Sequence, residues 1–177
     1  MRRIGWLVVP LLLLLLVPNP VTAKQKRRGQ NFGTHLTGAE EVPPVATQAQ
    51  GQVKFHLSRD RETMGWKLNV SNISNVVGAH IHCGAVGVNG PIMVTLYTAA
   101  PAGGASNGRL ASGSFDPTGD PTIPLCNGVP LIQSMKSGNT YVNVHTDDGV
   151  APPDTGAGDM ASGEIRGQVE ARGPKKF

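Results

Sequence analysis

The chain contains few of the residues on which many enzymes and membrane proteins depend. It has two cysteines in 177 residues, aromatic side chains make up 5% of it, and charged side chains make up 16%. No glycine-rich loop opens a helix where a phosphate could bind, and two cysteines that pair leave no thiol nucleophile. After residue 23 no apolar run approaches the roughly 20 residues that cross a bilayer. We therefore do not expect a nucleotide-binding enzyme, a thiol hydrolase or an integral membrane protein.

The first 23 residues have the composition of a secretory signal peptide. Arg2 and Arg3 give a positive start, residues 7–17 are apolar, and residues 21–23 (VTA) are the small residues at which a signal peptidase cuts. The apolar segment is too short for a membrane anchor. The sequence therefore predicts cleavage after Ala23 and a secreted, extracellular protein that is free of the membrane.

Most of the remaining basic residues lie near the two ends of the chain. Residues 24–30 (KQKRRGQ) form a basic leader without apolar periodicity, which predicts disorder, and residues 172–177 form a basic tail. Between them, residues 31–171 are enough for one domain with one core and too few for two. Because the charge lies on tails rather than on a folded face, a nucleic-acid partner is not expected.

Runs of alternating apolar and polar residues recur along this domain and predict β-strands. GQVKFHLS alternates cleanly with His56 on its solvent face, and IMVTLYT would turn Ile92, Val94 and Leu96 inward. The small residues of 99–108 predict a flexible loop, and VPLIQSMKSG is the one segment that favours a short helix. About eight strands and one helix predict an all-β fold, either an antiparallel β-sandwich or a flattened Greek-key barrel.

The positions of the cysteines and of two asparagines predict two covalent modifications, a disulfide and N-glycosylation. Cys83 and Cys126 make an even count, which favours one disulfide in an oxidising compartment. A metal-thiolate role for Cys83 is the alternative. Asn69 and Asn72 each begin an Asn-X-Ser glycosylation sequon. Strand parity exposes Asn69, and Asn72 falls where the strand would give way to a loop, so a eukaryotic host is expected to glycosylate at least one of them.

Three of the five histidines lie in two short predicted strands. His80 and His82 share one face of GAHIHCG, because successive side chains of a strand alternate, and His145 lies on the polar face of YVNVHT. Imidazole is a ligand for copper and zinc, and three such ligands leave an open coordination position. The pattern is a signal of middling specificity for a mononuclear metal site, with copper favoured over zinc.

The same histidines also fit a hydrogen-bonded polar layer that holds no metal. Asn143, Glu164 and Arg166 would join His145 in this layer and support the loops over one sheet, since a buried imidazole needs a partner. The residue pattern alone favours this layer over the metal site.

A long loop after the third histidine carries four aspartates that could suggest calcium. They lack the regular spacing of a calcium hand, so the sequence predicts no calcium motif there. The four are Asp147, Asp148, Asp154 and Asp159.

Several long motifs, taken in order, resemble the CHRD domain over about residues 31–171. They are LTGAEEVPPVATQAQG, VVGAHIHCGAVGVNGPIMVTLY, GNTYVNVHT and GEIRGQV. The resemblance implies an all-β extracellular domain. It does not imply a growth-factor antagonist, because the cysteine-rich modules credited with that role in chordin are missing here.

A fainter similarity links GAHIH, VNVHTDD and GEIRG to the copper/zinc superoxide dismutases, a β-sandwich family. In that family the corresponding positions supply copper ligands, which implies a dismutase-like sandwich with copper at His80, His82 and His145. No histidine lies between His82 and His145 in this chain. The bridging and zinc-ligand histidines therefore have no counterpart, and neither does the catalytic arginine expected before the last strand.

Two functions follow from these patterns. The favoured one is a secreted, non-catalytic binding or structural module that presents loops such as residues 147–161 to an extracellular protein or polysaccharide. The alternative is a copper-binding or redox protein that uses the three histidines. No catalytic residue is predicted, and an enzyme is the less favoured expectation.

Overall fold

The computed structural model describes residues 30–173, which form strands with one short helix. The predicted signal peptide, residues 24–29 of the leader and residues 174–177 of the tail lie outside the described residues. A helix α1 (Leu131–Lys136) and a 3-10 turn (Gly38–Glu40) accompany the strands. The strands are β1 (Gln30–Thr37), β2 (Gln50–Leu57), β3 (Met64–Ser74), β4 (Val76–Cys83), β5 (Ile92–Thr98), β6 (Ala105–Phe115), β7 (Thr140–Thr146), β8 (Ile165–Gln168) and β9 (Glu170–Arg172).

The nine strands form one antiparallel sheet that curls back on itself. Its strand order is β5-β4-β7-β8-β1-β2-β3-β6, and β9 pairs with β1. The two end strands, β5 and β6, lie beside each other, so that the sheet almost closes. The predicted all-β class with one short helix is thereby confirmed. Within residues 30–173 no helix has the length and apolar character needed to cross a membrane.

In β4 and β7, apolar and polar side chains alternate, so the apolar side chains of one face of each strand fill the interior of the sheet. Ala79, Ile81 and Cys83 of β4, with Val142 and Val144 of β7, belong to the core and are at most 4% exposed. Burying a side chain of the size of Ile81 stabilises the fold by about 1.5–3 kcal/mol. The inward faces predicted for these two strands are the observed ones, and their histidines consequently project from the opposite face.

The strand β5 departs from the predicted alternation. Ile92 is 47% exposed, whereas Met93 is 4% exposed and lies in the core. The pairing of β5 with β4 skips Met93 and Leu96, so each is an extra residue on β5. An extra residue of this kind is a β-bulge, and it reverses the inward and outward positions on one side of it relative to those on the other. The prediction that Ile92 faces inward was therefore wrong.

The strand β6 begins inside the segment predicted as a flexible loop. Ala105 and Ser106 pair with Ser74 and Ile73 of β3. This backbone pairing orders the two residues, although their small side chains bury little area. The prediction of a loop over residues 99–108 was wrong from Ala105 onward. Strand formation here is imposed by the neighbouring strand rather than by local propensity.

Cys83 and Cys126 form a disulfide, which confirms the predicted bridge. It joins the end of β4 to the segment before α1 across a sequence separation of 43 residues. Both residues are buried in the core. The metal-thiolate alternative for Cys83 fails because the disulfide already occupies its sulfur.

The two glycosylation sequons begin within β3 and differ in exposure. Asn69 is half-buried between β2 and β6, where it pairs with Gln52 and Arg109. Asn72 is exposed, has a φ of 53°, and lies where the pairing of β3 with β6 is irregular. Asparagine tolerates this left-handed conformation better than most residues. The bulge makes Asn72 the more accessible acceptor for a glycan.

We expect a eukaryotic secretory host to glycosylate Asn72 and to leave Asn69 unmodified. The intact mass of the purified protein should fall after N-glycosidase treatment, and Asn72→Gln should remove this mass change. Asn69→Gln is the matched control and should keep it. A mass change that survives in Asn72→Gln and disappears in Asn69→Gln would reverse the assignment.

Candidate metal centre

The pairing of β4 with β7 brings the three predicted histidines together. His80 faces Asn143 across the pair, and His145 faces Gly78. One ring nitrogen from each of His80, His82 and His145 lies within 4.8 Å of one from each of the others. The remaining two histidines are exposed in other strands. The three histidines singled out by strand parity therefore form one cluster.

Gly78 makes room for two of these rings. A Cβ at this position would lie 3.0 Å from Cε1 of His80 and 3.8 Å from Cδ2 of His145. The centroids of these two rings are 4.9 Å apart. Any larger residue at position 78 would push His80 away, so the absent side chain allows the rings to approach each other.

Two backbone carbonyls fix the orientation of two rings. Nδ1 of His82 donates to the carbonyl oxygen of Gly90 at 2.8 Å, and Nδ1 of His145 donates to that of Ala161 at 2.9 Å. A carbonyl oxygen can only accept, so the proton of each neutral ring is on Nδ1 and the lone pair is on Nε2. Sequence reasoning missed both carbonyls, because they belong to loops without a recognisable pattern.

Three ring nitrogens of the cluster are buried and have no hydrogen-bond partner within residues 30–173. They are Nδ1 of His80, Nε2 of His82 and Nε2 of His145. Leaving a buried polar atom unsatisfied costs about 1–3 kcal/mol. A polar layer without a metal thus accounts for one nitrogen of His82 and of His145 and leaves these three atoms unexplained. The cluster brings one nitrogen of each ring within 4.8 Å of the others, a spacing at which a single cation can provide the missing partners.

Burial lowers the pKa of all three imidazoles. For His80, desolvation and then the proximity of His145 and His82 lower the pKa to about 4. The rings are therefore neutral at neutral pH. A neutral imidazole keeps the lone pair that a metal needs.

Tyr141 and Arg166 form a stack next to His82. The rings of Tyr141 and His82 are nearly parallel, with centroids 4.9 Å apart and an interplanar angle of 10°. Cζ of Arg166 lies 3.5 Å from the centroid of the Tyr141 ring. Tyr141 was missed in the sequence, although its parity in the strand matches that of Asn143 and His145.

The buried Arg166 also holds the loop that follows β4. Its guanidinium donates to the side-chain oxygen of Asn89 at 2.8 Å and to the carbonyl oxygens of Val88 and Ala85 at 2.9 and 3.2 Å. This loop carries Gly90, whose carbonyl orients His82. Arg166 therefore supports a loop, as the polar-layer hypothesis expected, and the supported loop positions a histidine.

Glu164 serves a different loop. Its carboxylate accepts hydrogen bonds from the hydroxyls of Thr47 and Thr146 and from the N–H of Gly158. The carboxylate thus links the segment before β2, the end of β7 and the long segment between β7 and β8. The prediction that Glu164 joins the polar layer around the histidines does not describe these contacts.

The three nitrogens fit copper in their donor chemistry. All are neutral imidazole nitrogens, and such a site binds Cu²⁺ more tightly than Zn²⁺ in the usual order of divalent affinities. Bonds of about 2.0–2.1 Å place two ligands of one ion at most about 4.2 Å apart. Ring movements of about 0.6 Å or less would bring any more distant pair within that limit.

The fold and this cluster define a disulfide-bonded, antiparallel all-β domain with three converging histidines on one sheet face. The family model of the CHRD domain matches residues 32–152. The chain belongs to the CHRD domain family, as its motifs had indicated. Comparisons with curated proteins and with solved structures give no match at the significance threshold.

Proposed function

We propose that this CHRD-domain protein is a secreted, non-catalytic module that binds one copper ion through His80, His82 and His145. The observation that carries the proposal is the convergence of three imidazoles, one buried and two half-buried, each with a buried nitrogen that has no partner within residues 30–173. The signal-peptide pattern of residues 1–23 and the disulfide support an oxidising extracellular compartment.

The chain's own residues would hold and orient the ion. His82 and His145 are fixed by the carbonyls of Gly90 and Ala161, and the loop that carries Gly90 is held by Arg166. Such outer contacts determine which ring nitrogen is free and where it points. When bound, copper supplies Lewis-acid and one-electron chemistry. The loops on either side are, in this proposal, the surface offered to an extracellular protein or polysaccharide.

Copper titration of the purified protein tests the proposal. After a mild chelation step, Cu²⁺ should bind with a stoichiometry near one, measured by calorimetry, and its electron paramagnetic resonance spectrum should show nitrogen ligands. His82→Ala should weaken binding by more than about 100-fold, because losing an outer contact to a ligand alone costs 10–100-fold.

His56→Ala is the matched control. His56 is exposed and bonds to Asn31 on another strand, so its loss should leave the affinity unchanged. Absence of stoichiometric copper binding, or equal affinities in wild type and His82→Ala, would refute the proposed site.

A further inference from the structure

We propose a second cation site, for calcium, in the segment between β7 and β8. One carboxylate oxygen from each of Asp147, Asp148 and Asp159 lies within 4.8 Å of one from each of the other two. This site uses oxygen atoms alone and goes beyond the copper site of the proposed function. The irregular spacing that excluded a calcium hand does not prevent the three side chains from meeting in space.

Asp159 provides the independent observation that points to a ligand. The residue is 4% exposed, and its Oδ1 is buried with no hydrogen-bond partner in the part of the chain that the structure describes. Its other oxygen, Oδ2, accepts from the N–H of Thr155 at 3.0 Å and from the hydroxyl of Thr155 at 2.6 Å. The hydroxyl and N–H of Thr155, with a smaller contribution from the backbone N–H of Asp148, lower the pKa of Asp159, so its carboxylate is charged at neutral pH. A buried oxygen of a charged carboxylate that lacks a hydrogen bond of normal geometry is a ready ligand for a cation.

The other two carboxylates are arranged in the same way. Oδ1 of Asp147 accepts from the N–H of Gly149 at 2.7 Å, and Oδ1 of Asp148 accepts from that of Val150 at 2.8 Å. Each carboxylate is thus fixed through one oxygen, while its second oxygen has no donor among the described residues. Each of the three carboxylates therefore keeps one oxygen that could bind an ion.

Backbone contacts hold the two parts of the site in place. The N–H of Asp147 donates to the carbonyl of Asn75 at 2.9 Å, and the side chain of Asn75 donates to the carbonyl of Gly158 at 3.0 Å. The N–H of Met160 donates to the hydroxyl of Thr146 at 3.0 Å. The residues on both sides of Asp159 are therefore anchored before any ion binds, which reduces the entropy lost on binding.

The chemistry of the site selects calcium. Hard cations prefer carboxylate oxygens, and Ca²⁺ accepts them at about 2.3–2.6 Å in a flexible geometry, so two of its ligands can lie up to about 5 Å apart. Mg²⁺ binds at about 2.0–2.1 Å, demands a near-ideal octahedron and gives up its water reluctantly. Extracellular calcium modules bind with dissociation constants of about 10⁻⁴–10⁻³ M. A site with three protein carboxylates belongs in this range.

The test is thermal unfolding of the full secreted protein in chelator and in rising CaCl₂ at constant ionic strength. Calcium at 10 mM should raise the melting temperature by about 5 °C in a saturable manner. Asp159→Asn and Asp148→Asn should lose this response. Asparagine at position 148 keeps an oxygen for the N–H of Val150, so this second variant is expected to fold even where the first does not.

Glu62→Gln is the matched control, because Glu62 is an exposed carboxylate in a distant turn. It should retain the full response, and so should His82→Ala, which separates this site from the copper site. No stabilisation up to 10 mM calcium, an equal rise with Mg²⁺, or an undiminished rise in Asp148→Asn would overturn the proposal.

Discussion

Ile81→Asp should abolish folding. Ile81 is fully buried at the centre of β4, between Val94 of β5 and Val142 of β7. An unpaired charge in such a place costs several kcal/mol even after relaxation. The whole stability of a domain is about 5–15 kcal/mol, so this cost removes most or all of it. Secretion yield and the near-ultraviolet circular dichroism of any recovered protein measure the outcome.

Ile92→Asp provides the same change of side chain at an exposed position. Because Ile92 is 47% exposed, we expect a change in stability of about 0.5 kcal/mol or less. A well-folded Ile81→Asp would mean that the faces of β4 are inverted and that the histidines point into the core. Unfolding of Ile92→Asp would contradict the bulged register of β5.

Cys83→Ser should lower the free energy of unfolding by about 4 kcal/mol. The disulfide closes a loop with a sequence separation of 43 residues, and in the chain-entropy model a loop of this size restricts the unfolded chain by that amount. For a domain of this length the melting temperature should fall by about 8–16 °C. Calorimetry or circular dichroism on heating measures this shift.

The double variant Cys83→Ser with Cys126→Ser separates loss of the bridge from the effect of an unpaired thiol. It should unfold at nearly the same temperature as the single variant. Wild-type protein whose disulfide has been reduced should have a similar melting temperature. An unchanged melting temperature in all three would show that the bridge contributes nothing to stability.

The sequence was most informative where one strand face is buried. In β4 and β7 the core residues alternate with polar ones, and a shift of one residue would place Ile81 or Val142 in water. Because exposing these core residues is costly, the alternating pattern fixes which face of each strand is buried. The same alternation places His80 and His82 on the other face of β4, and His145 on the other face of β7. Parity therefore predicts the face on which each histidine lies, whereas the pairing of β4 with β7 that brings the three together is seen only in the structure.

Contacts made by loops could not be predicted in this way. The carbonyls of Gly90 and Ala161 reach His82 and His145 from segments without periodicity, and a backbone oxygen leaves no trace in residue identity. The convergence of Asp147 with Asp159 likewise depends on how the intervening segment folds back. The alternation rule also gave the wrong face for Ile92, because a β-bulge adds one residue to a strand and the residue types do not reveal it.

The proximity of β5 and β6 bears on how this protein behaves at high concentration. The last strand of an open sheet carries unpaired N–H and C=O groups that can recruit a strand from another molecule and start a fibril. Here the two end strands lie beside each other, and the two bulges of β5 interrupt the regular spacing that an incoming strand would need. The near closure of the sheet and the bulges of β5 are thus features that disfavour edge-to-edge aggregation.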